Sequence, residues 1–345
     1  MRNVKPVLAK MREMRMSQPL FVRTCVCGAA VALLPHVFAA GQAPSAAPPP
    51  STGWTPSRTP DGQPDIQGTW VNFDSTPLEA PSDDDPARLK ALAVWFPGVD
   101  APAGKRTIRG PNPAPEFNDT STKRSPTRRS LVVDPPDGRV PVRPDAEARR
   151  NYNLIHLTDS WELHTPWERC ITRGIPGGML PAGYNNAYSI IQTPGYVVIL
   201  YEMIHEPRII PLDGRPHLNG QVRQWTGDSR GRWEGHTLVV EVTNYSRQDV
   251  GTVATGIATT ATLKGIPQSE AMRVVERFTP IDAHSIHYEA TIDDPVIYTR
   301  PWTVAMPLNR ADDYRIYEYA CHEGNYGLPN SLSGARFEER AATAK

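Results

Sequence analysis

From Tyr188 onward the chain returns, about every 8–15 residues, to a short apolar run too brief for a helix and bounded by turn residues. The runs are Tyr188–Thr193, Tyr196–His205, Pro207–Leu212, Thr237–Tyr245, Met272–Phe278, Ser285–Ile292, Tyr298–Met306 and Tyr314–Cys321. Pro194-Gly195 joins the first two as a hairpin, and Asp213-Gly214 ends the third. Strands at this spacing predict an all-β fold, an antiparallel β-barrel or sandwich, of which the barrel is the reading adopted. Proline is 36 of 345 residues, about twice its usual share of roughly 5%, which argues against long helices. No glycine-rich phosphate loop and no βαβ alternation occurs, so a nucleotide-binding α/β fold is excluded.

The first half is less regular. Ile66 to Phe73 predicts a strand, and Ser130–Val140 a strand, a Pro-Asp-Gly turn and a strand. Ala87–Trp95 and Asp145–Leu157 predict short helices, and Pro111–Arg129 a long proline-rich loop. Gly227–Gly235 predicts a tight charged loop leading into the next strand.

Six basic residues precede the apolar run Cys25–Leu34, and small residues follow at Ala39 and Ala40. That order predicts a secretory signal peptide over 1–39, and hence a periplasmic or secreted protein without a membrane anchor after cleavage. The run is too short to span a bilayer, which takes about 20 residues. Residues 40–62 read as a Pro/Ala-rich linker and 63–345 as a single domain. The chain carries 37 Lys+Arg and 37 Asp+Glu. Loss of 1–39 removes six of the former and one of the latter, which leaves a mildly acidic protein and argues against nucleic-acid binding. It also leaves Cys170 and Cys321, which in an oxidising compartment predict one disulfide. The alternative is two buried free thiols. Neither cysteine has CxxC spacing, so a structural zinc site is disfavoured.

Two stretches concentrate groups able to move protons or bind metal. Tyr201–His217 carries Glu202, His205, Glu206, Arg208, Asp213, Arg215 and His217 beside an apolar strand. Alternation puts Tyr201 and His205 on one face, Glu202 on the other, and Asp213 and Arg215 in the turn. Tyr317–Gly327 carries Glu318, His322, Glu323 and Tyr326 around Cys321, and a disulfide would hold it against the segment containing Arg173. Imidazoles are the usual proton shuttles near neutral pH and common metal ligands. His205, His322, Glu323 and Tyr326 are therefore the candidate catalytic residues. Arg173, Tyr201, Arg208, Arg215 and Trp302 are candidate substrate contacts, and His205, His217 and His322 are candidate ligands for a divalent metal such as zinc. His205-Glu206-x-Arg208 lacks the second histidine of a zincin helix and lies in a strand run, so metalloprotease chemistry is not indicated. In Ser285–Ile292, His287 and Glu289 alternate with Ile286, Tyr288 and Ile292 and are expected to face solvent.

Gly68-Thr69-Trp70 on the first strand, with a meander behind it, resembles the lipocalin/calycin pattern of small-ligand barrels. Separately, Glu168–Gly174, Arg208–His217, Gly227–Gly235 and Tyr317–Gly327 resemble blocks of a family of exported bacterial proteins of uncharacterised function. That second resemblance implies a compartment and no reaction. The expectation is an exported, lipocalin-like β-barrel enzyme performing lyase, isomerase or hydrolase chemistry on a small polar or aromatic molecule. The alternative is a non-catalytic small-ligand carrier. Substrate and oligomeric state are not legible.

Overall fold

The structure is a computed structural model that describes residues 54–72, 76–80, 129–182, 185–251 and 265–344. The chain divides into Met1–Ala43 and Pro44–Lys345, and the first unit lies wholly outside the described residues. So do the expected helix Ala87–Trp95 and nearly all of the expected loop Pro111–Arg129.

The fold is an all-β, nearly closed antiparallel barrel with two helices among the described residues. Its strands are β1 (Gly68–Val71), β2 (Val132–Asp134), β3 (Ala187–Thr193), β4 (Tyr196–Tyr201), β5 (Pro207–Pro211), β6 (Asp228–Glu234), β7 (Thr237–Thr243), β8 (Arg273–Asp282), β9 (Ser285–Asp293) and β10 (Trp302–Arg310). Nine follow the order β5-β4-β3-β1-β10-β9-β8-β7-β6, and β2 pairs with β10 off this path. Strand β1 joins the halves by pairing with β3 and β10. Arg310 lies over the Trp70 ring at 5.5 Å. A side chain at Gly68 would begin 3.1 Å from the same guanidinium, so the glycine of the Gly-x-Trp pattern leaves room for it.

Alternation decides what is inside. In β4, Val197, Ile199 and Tyr201 are buried, while Tyr196, Val198 and Leu200 are half-buried. In β8, Val274, Glu276 and Phe278 share the inward set, so a carboxylate enters the core. Tyr188, Tyr245, Phe278, Tyr288 and Trp302 fill the interior with aromatic volume.

The barrel closes where β5 faces β6. A Cβ on Gly231 would sit 2.7 Å from Leu212 Cδ2 and 2.8 Å from Ile210 Cγ2. Gly231→Ala is expected to cost about 1–3 kcal/mol by overpacking this seam. Gly220→Ala, with no atom within 4 Å, should stay within about 0.5 kcal/mol of the parent. Urea unfolding of both variants checks the pair.

Several expected elements differ. Gly227–Gly235 contains strand β6, whose alternate set Ser229, Gly231 and Trp233 faces the core while Arg230, Arg232 and Glu234 lie on the other side. Tyr196–His205 is a strand only to Tyr201; Met203–His205 is a 3₁₀ turn. Ser130–Val140 forms only β2, before the Pro135–Gly138 turn. Tyr298–Met306 becomes β10 only at Trp302, and Tyr314–Cys321 is not a strand. Both edges of β10 are already taken by β1, β2 and β9, so the barrel offers that last run no partner there. Helix α1 (Pro144–Ile155) matches the expected position, with Pro144 at its start and Asp145 and Glu147 in its first turn. Helix α2 (Gly327–Thr343) was not expected; it buries no residue. No described helix is long and apolar enough to cross a membrane.

Candidate functional site

Between α1 and β3, residues Thr172 to Pro181 are buried without interruption. This segment covers inward-facing tyrosines. Tyr245 Oη donates to the Ile175 carbonyl at 3.2 Å and Tyr188 Oη to the Met179 carbonyl at 3.1 Å. Gly178 lies against the Tyr201 ring, where a Cβ would begin 3.0 Å away. Just before it, Cys170 is bonded to Cys321, 151 residues later. The expected disulfide is therefore present, and it brings the second histidine-containing stretch onto the first.

The result is a cleft of about 480 Å³. One wall is Ile204-His205-Glu206-Pro207, from the turn between β4 and β5; the other is Tyr319 to Glu323; Cys170 and Ile171 complete it. Two His-Glu dipeptides, His205-Glu206 and His322-Glu323, thus meet beside one cystine.

The turn is conformationally unusual. Ile204 has φ 64° and His205 φ 33°, and Cys170 across the cleft has φ 57°. Non-glycine residues in the left-handed region cost of order 1–3 kcal/mol each and cluster at functional sites. Among the described residues five non-glycine positions adopt positive φ; three line this cleft, and a fourth, Asn185, lines the neighbouring recess.

The chemistry of the side chains follows from their partners. The Tyr319 carbonyl can only accept, so at 3.1 Å it selects the tautomer of His205 with Nδ1 protonated. The neutral ring then carries its lone pair on Nε2, the form a general base requires. Glu206 accepts from the buried Thr172 hydroxyl at 2.5 Å. Burial pushes its pKa above the ordinary 4.5, outweighing the opposing pull of that hydrogen bond and of Arg208. His322, Glu323 and Tyr326 are exposed; the first two line the cleft and Tyr326 does not.

A second recess of about 990 Å³ shares Tyr319, Ala320, Cys321 and Glu323 with the first. Trp167, Tyr317, Glu318 and Asn325 also line it. It lies on the other side of the cystine-pinned segment.

The remaining expected site residues sit elsewhere. Arg208 is buried in the barrel, paired with Glu276 at 2.5 Å, with Nε donating to Ser229 at 3.1 Å. Tyr201 is beside it, its hydroxyl 3.4 Å from the Arg208 guanidinium. Tyr288 Oη donates to the other Glu276 oxygen at 2.8 Å. Burial alone would lower the Arg208 pKa, but the Glu276 carboxylate outweighs it and holds the guanidinium protonated. Arg173 is buried, donating to the Leu180 carbonyl at 2.9 Å and lying behind the Trp167 ring. Trp302 is wholly buried and packs on Tyr298, so it is core rather than cavity wall. Arg215 closes the surface turn on Asp213, holding that carboxyl down to about 2, and also reaches Tyr196 Oη. His217 donates Nδ1–H to Asp228 at 3.0 Å and does not line either recess. No group of three or more His, Cys, Asp or Glu among the described residues is placed to hold a metal ion, so His205, His217 and His322 do not assemble the expected metal site.

Glu202 is fully buried and accepts from Tyr314 Oη at 2.8 Å and from the Tyr317 amide at 3.1 Å, so it anchors the C-terminal segment. Glu289, expected to face solvent, is 2% exposed, and His287 is half-buried. β9 lies between β8 and β10, and Ala305, the register partner of Glu289, and Thr303 on the same side of β10 are buried as well.

The site was partly missed because Glu206 and Thr172, 34 residues apart, gain their significance only from each other. A local signal existed for the core pair alone: Glu276 falls on the same alternate set as Val274 and Phe278. No protein-family model, curated protein or solved structure matches the chain.

Proposed function

We propose that the protein is an exported acid–base enzyme, a lyase, isomerase or hydrolase. Its site is the cleft between the β4–β5 turn and the Cys321-His322-Glu323 segment, and its substrate is a small polar or aromatic molecule. His205 Nε2 takes a proton from the substrate. Glu206, which stays protonated to higher pH than an ordinary carboxyl, returns one. His322 and Glu323 on the opposite wall bind the polar end. The observation that carries the reading is the strained pair Ile204-His205 set directly before a carboxyl of raised pKa in an open cleft. Periplasmic or extracellular placement draws support from the cystine and from the basic-then-apolar start of the chain.

A carrier without catalysis is the second reading. The recess of about 990 Å³, with Trp167, Tyr317 and Tyr319 on its walls, favours it, since aromatic-lined recesses of that size suit small ligands. The two readings part on variants. In a turnover screen of small esters, amides, hydroxy acids and epimerisable compounds, His205→Ala and His322→Ala should each lose at least about 100-fold. Equal turnover in both variants and the parent would sink the enzymatic reading.

A further inference from the structure

We propose that formation of the Cys170–Cys321 disulfide assembles the cleft, so that the protein is switched on by oxidation. The proposal rests on the placement of the site given above and adds its regulation.

The wall Tyr319 to Glu323 belongs to a C-terminal segment with no core of its own. From Asn309 to Ala344 no described residue is buried. Hydrogen bonds do tie the segment down, from the Ala311 amide to the Thr69 carbonyl, from Tyr314 and Tyr317 to Glu202, from His205 to the Tyr319 carbonyl, from Asn325 to the Glu168 carbonyl, and from Arg336 to the Thr158 and Asp159 carbonyls. The bond at Tyr319 is exposed and the others are part-buried; the two to the buried Glu202 carboxylate are the strongest of them, at about 1.5–3 kcal/mol each, against an ordering cost of about 1–2 kcal/mol for every residue fixed. Apolar burial, the usual compensation, is small here, because the segment's apolar side chains are at most half-buried. The covalent bond is the strongest attachment of the segment, and it sits inside the cleft: Cys170 and Cys321 both line it. Without the bond, the wall carrying His322 and Glu323 is free to leave, and the His205 ring loses the carbonyl that sets its tautomer.

The barrel does not depend on this attachment. Its inward residues from β3 to β10 pack on one another and on the buried Thr172–Pro181 segment. Reduction is therefore expected to open the site and leave the fold. The reaction balances as thiol–disulfide exchange. Cys170 and Cys321 each give up one proton and one electron to a donor disulfide, which leaves as a dithiol while the new S–S bond forms. Dithiothreitol reverses it. A chain kept reduced would hold its catalytic walls apart until it reaches an oxidising compartment.

Hydrogen exchange on the full-length protein, read with and without dithiothreitol, tests this. Amides of 314–344 and of the 203–206 turn should exchange at least about tenfold faster after reduction, while β7, β8 and β9 keep their protection. Cys170→Ser/Cys321→Ser should match the reduced protein and ignore dithiothreitol. A C-terminal segment still protected in the reduced chain overturns the proposal, as does a barrel that loses protection with it. The same samples are then assayed for turnover on any compound found by the screen above. Loss on reduction and recovery on reoxidation support the switch. A released segment with turnover unchanged overturns it and moves the chemistry out of the cleft, whereas a protected segment in a chain that turns substrate over sinks the switch alone.

Discussion

Glu276→Gln is expected to lower the stability of the barrel by about 3–5 kcal/mol, the cost of leaving a buried charge without its counterion. Arg208 is 6% exposed and Glu276 is wholly buried, so water cannot take over when the carboxylate is neutralised. The amide keeps an oxygen for the Tyr288 hydroxyl, which isolates the loss of charge from the loss of a hydrogen bond. Arg208→Met with Glu276 retained should cost a similar amount. Arg208→Met/Glu276→Leu should recover most of it, because replacing a whole buried pair with apolar residues is often close to neutral. A remainder of about 1–3 kcal/mol is expected from the Tyr201 and Tyr288 hydroxyls, whose partners are gone. A double-mutant cycle from urea unfolding reads all three values. Additive single losses would show that the two side chains do not act as a pair.

Glu206→Gln is expected to lower turnover by about 10²–10⁴, the range for removing one positioned proton donor or acceptor. It should change the fold little, since Thr172 can still donate to the amide oxygen. Stability supplies an independent readout. The Glu206 carboxyl titrates above its ordinary 4.5 because burial disfavours the charged form. Its contribution is complete below 4.5 and is lost as pH rises from there through the raised folded value. The parent should therefore lose stability across that window, whereas Glu206→Gln should be flatter there and the more stable of the two at neutral pH. Urea midpoints at a series of pH values would show the two curves converging on the acid side. Parallel curves would mean that Glu206 is not held in the burial described.

Strands β7, β8 and β9 are legible because they are rich in β-branched and aromatic residues, and in β8 burial also alternates along the strand. β6 is not, because Arg230, Arg232 and Glu234 dominate its composition, and its inward glycine is set by close approach of another strand. Tyr314–Cys321 has strand-like composition but no edge to join, and strand formation needs a partner that composition does not report. α2 escapes notice because its residues pack against nothing that would impose an apolar stripe. The chemical groups of the cleft stand out in the sequence as His205-Glu206 and His322-Glu323. Their meeting could be anticipated from one disulfide. The backbone of the turn and the shift at Glu206 could not, since both depend on packing against Thr172 and its neighbours. The arginines mislead for the opposite reason: Arg173 and Arg208 carry charges that a sequence places at a surface and the fold holds inside, Arg208 on the Glu276 carboxylate and Arg173 on the Leu180 carbonyl.

Proton exchange of Glu206 and His205 with a substrate in this cleft is what we propose for the protein. The most direct measurement is the pH dependence of kcat/KM for the parent and Glu206→Gln on one compound that the parent turns over. The parent should show a limb displaced above the ordinary carboxyl value of 4.5, and Glu206→Gln should lose that limb together with the rate. An unchanged rate and an unchanged limb in Glu206→Gln would contradict it and assign the chemistry to another part of the molecule.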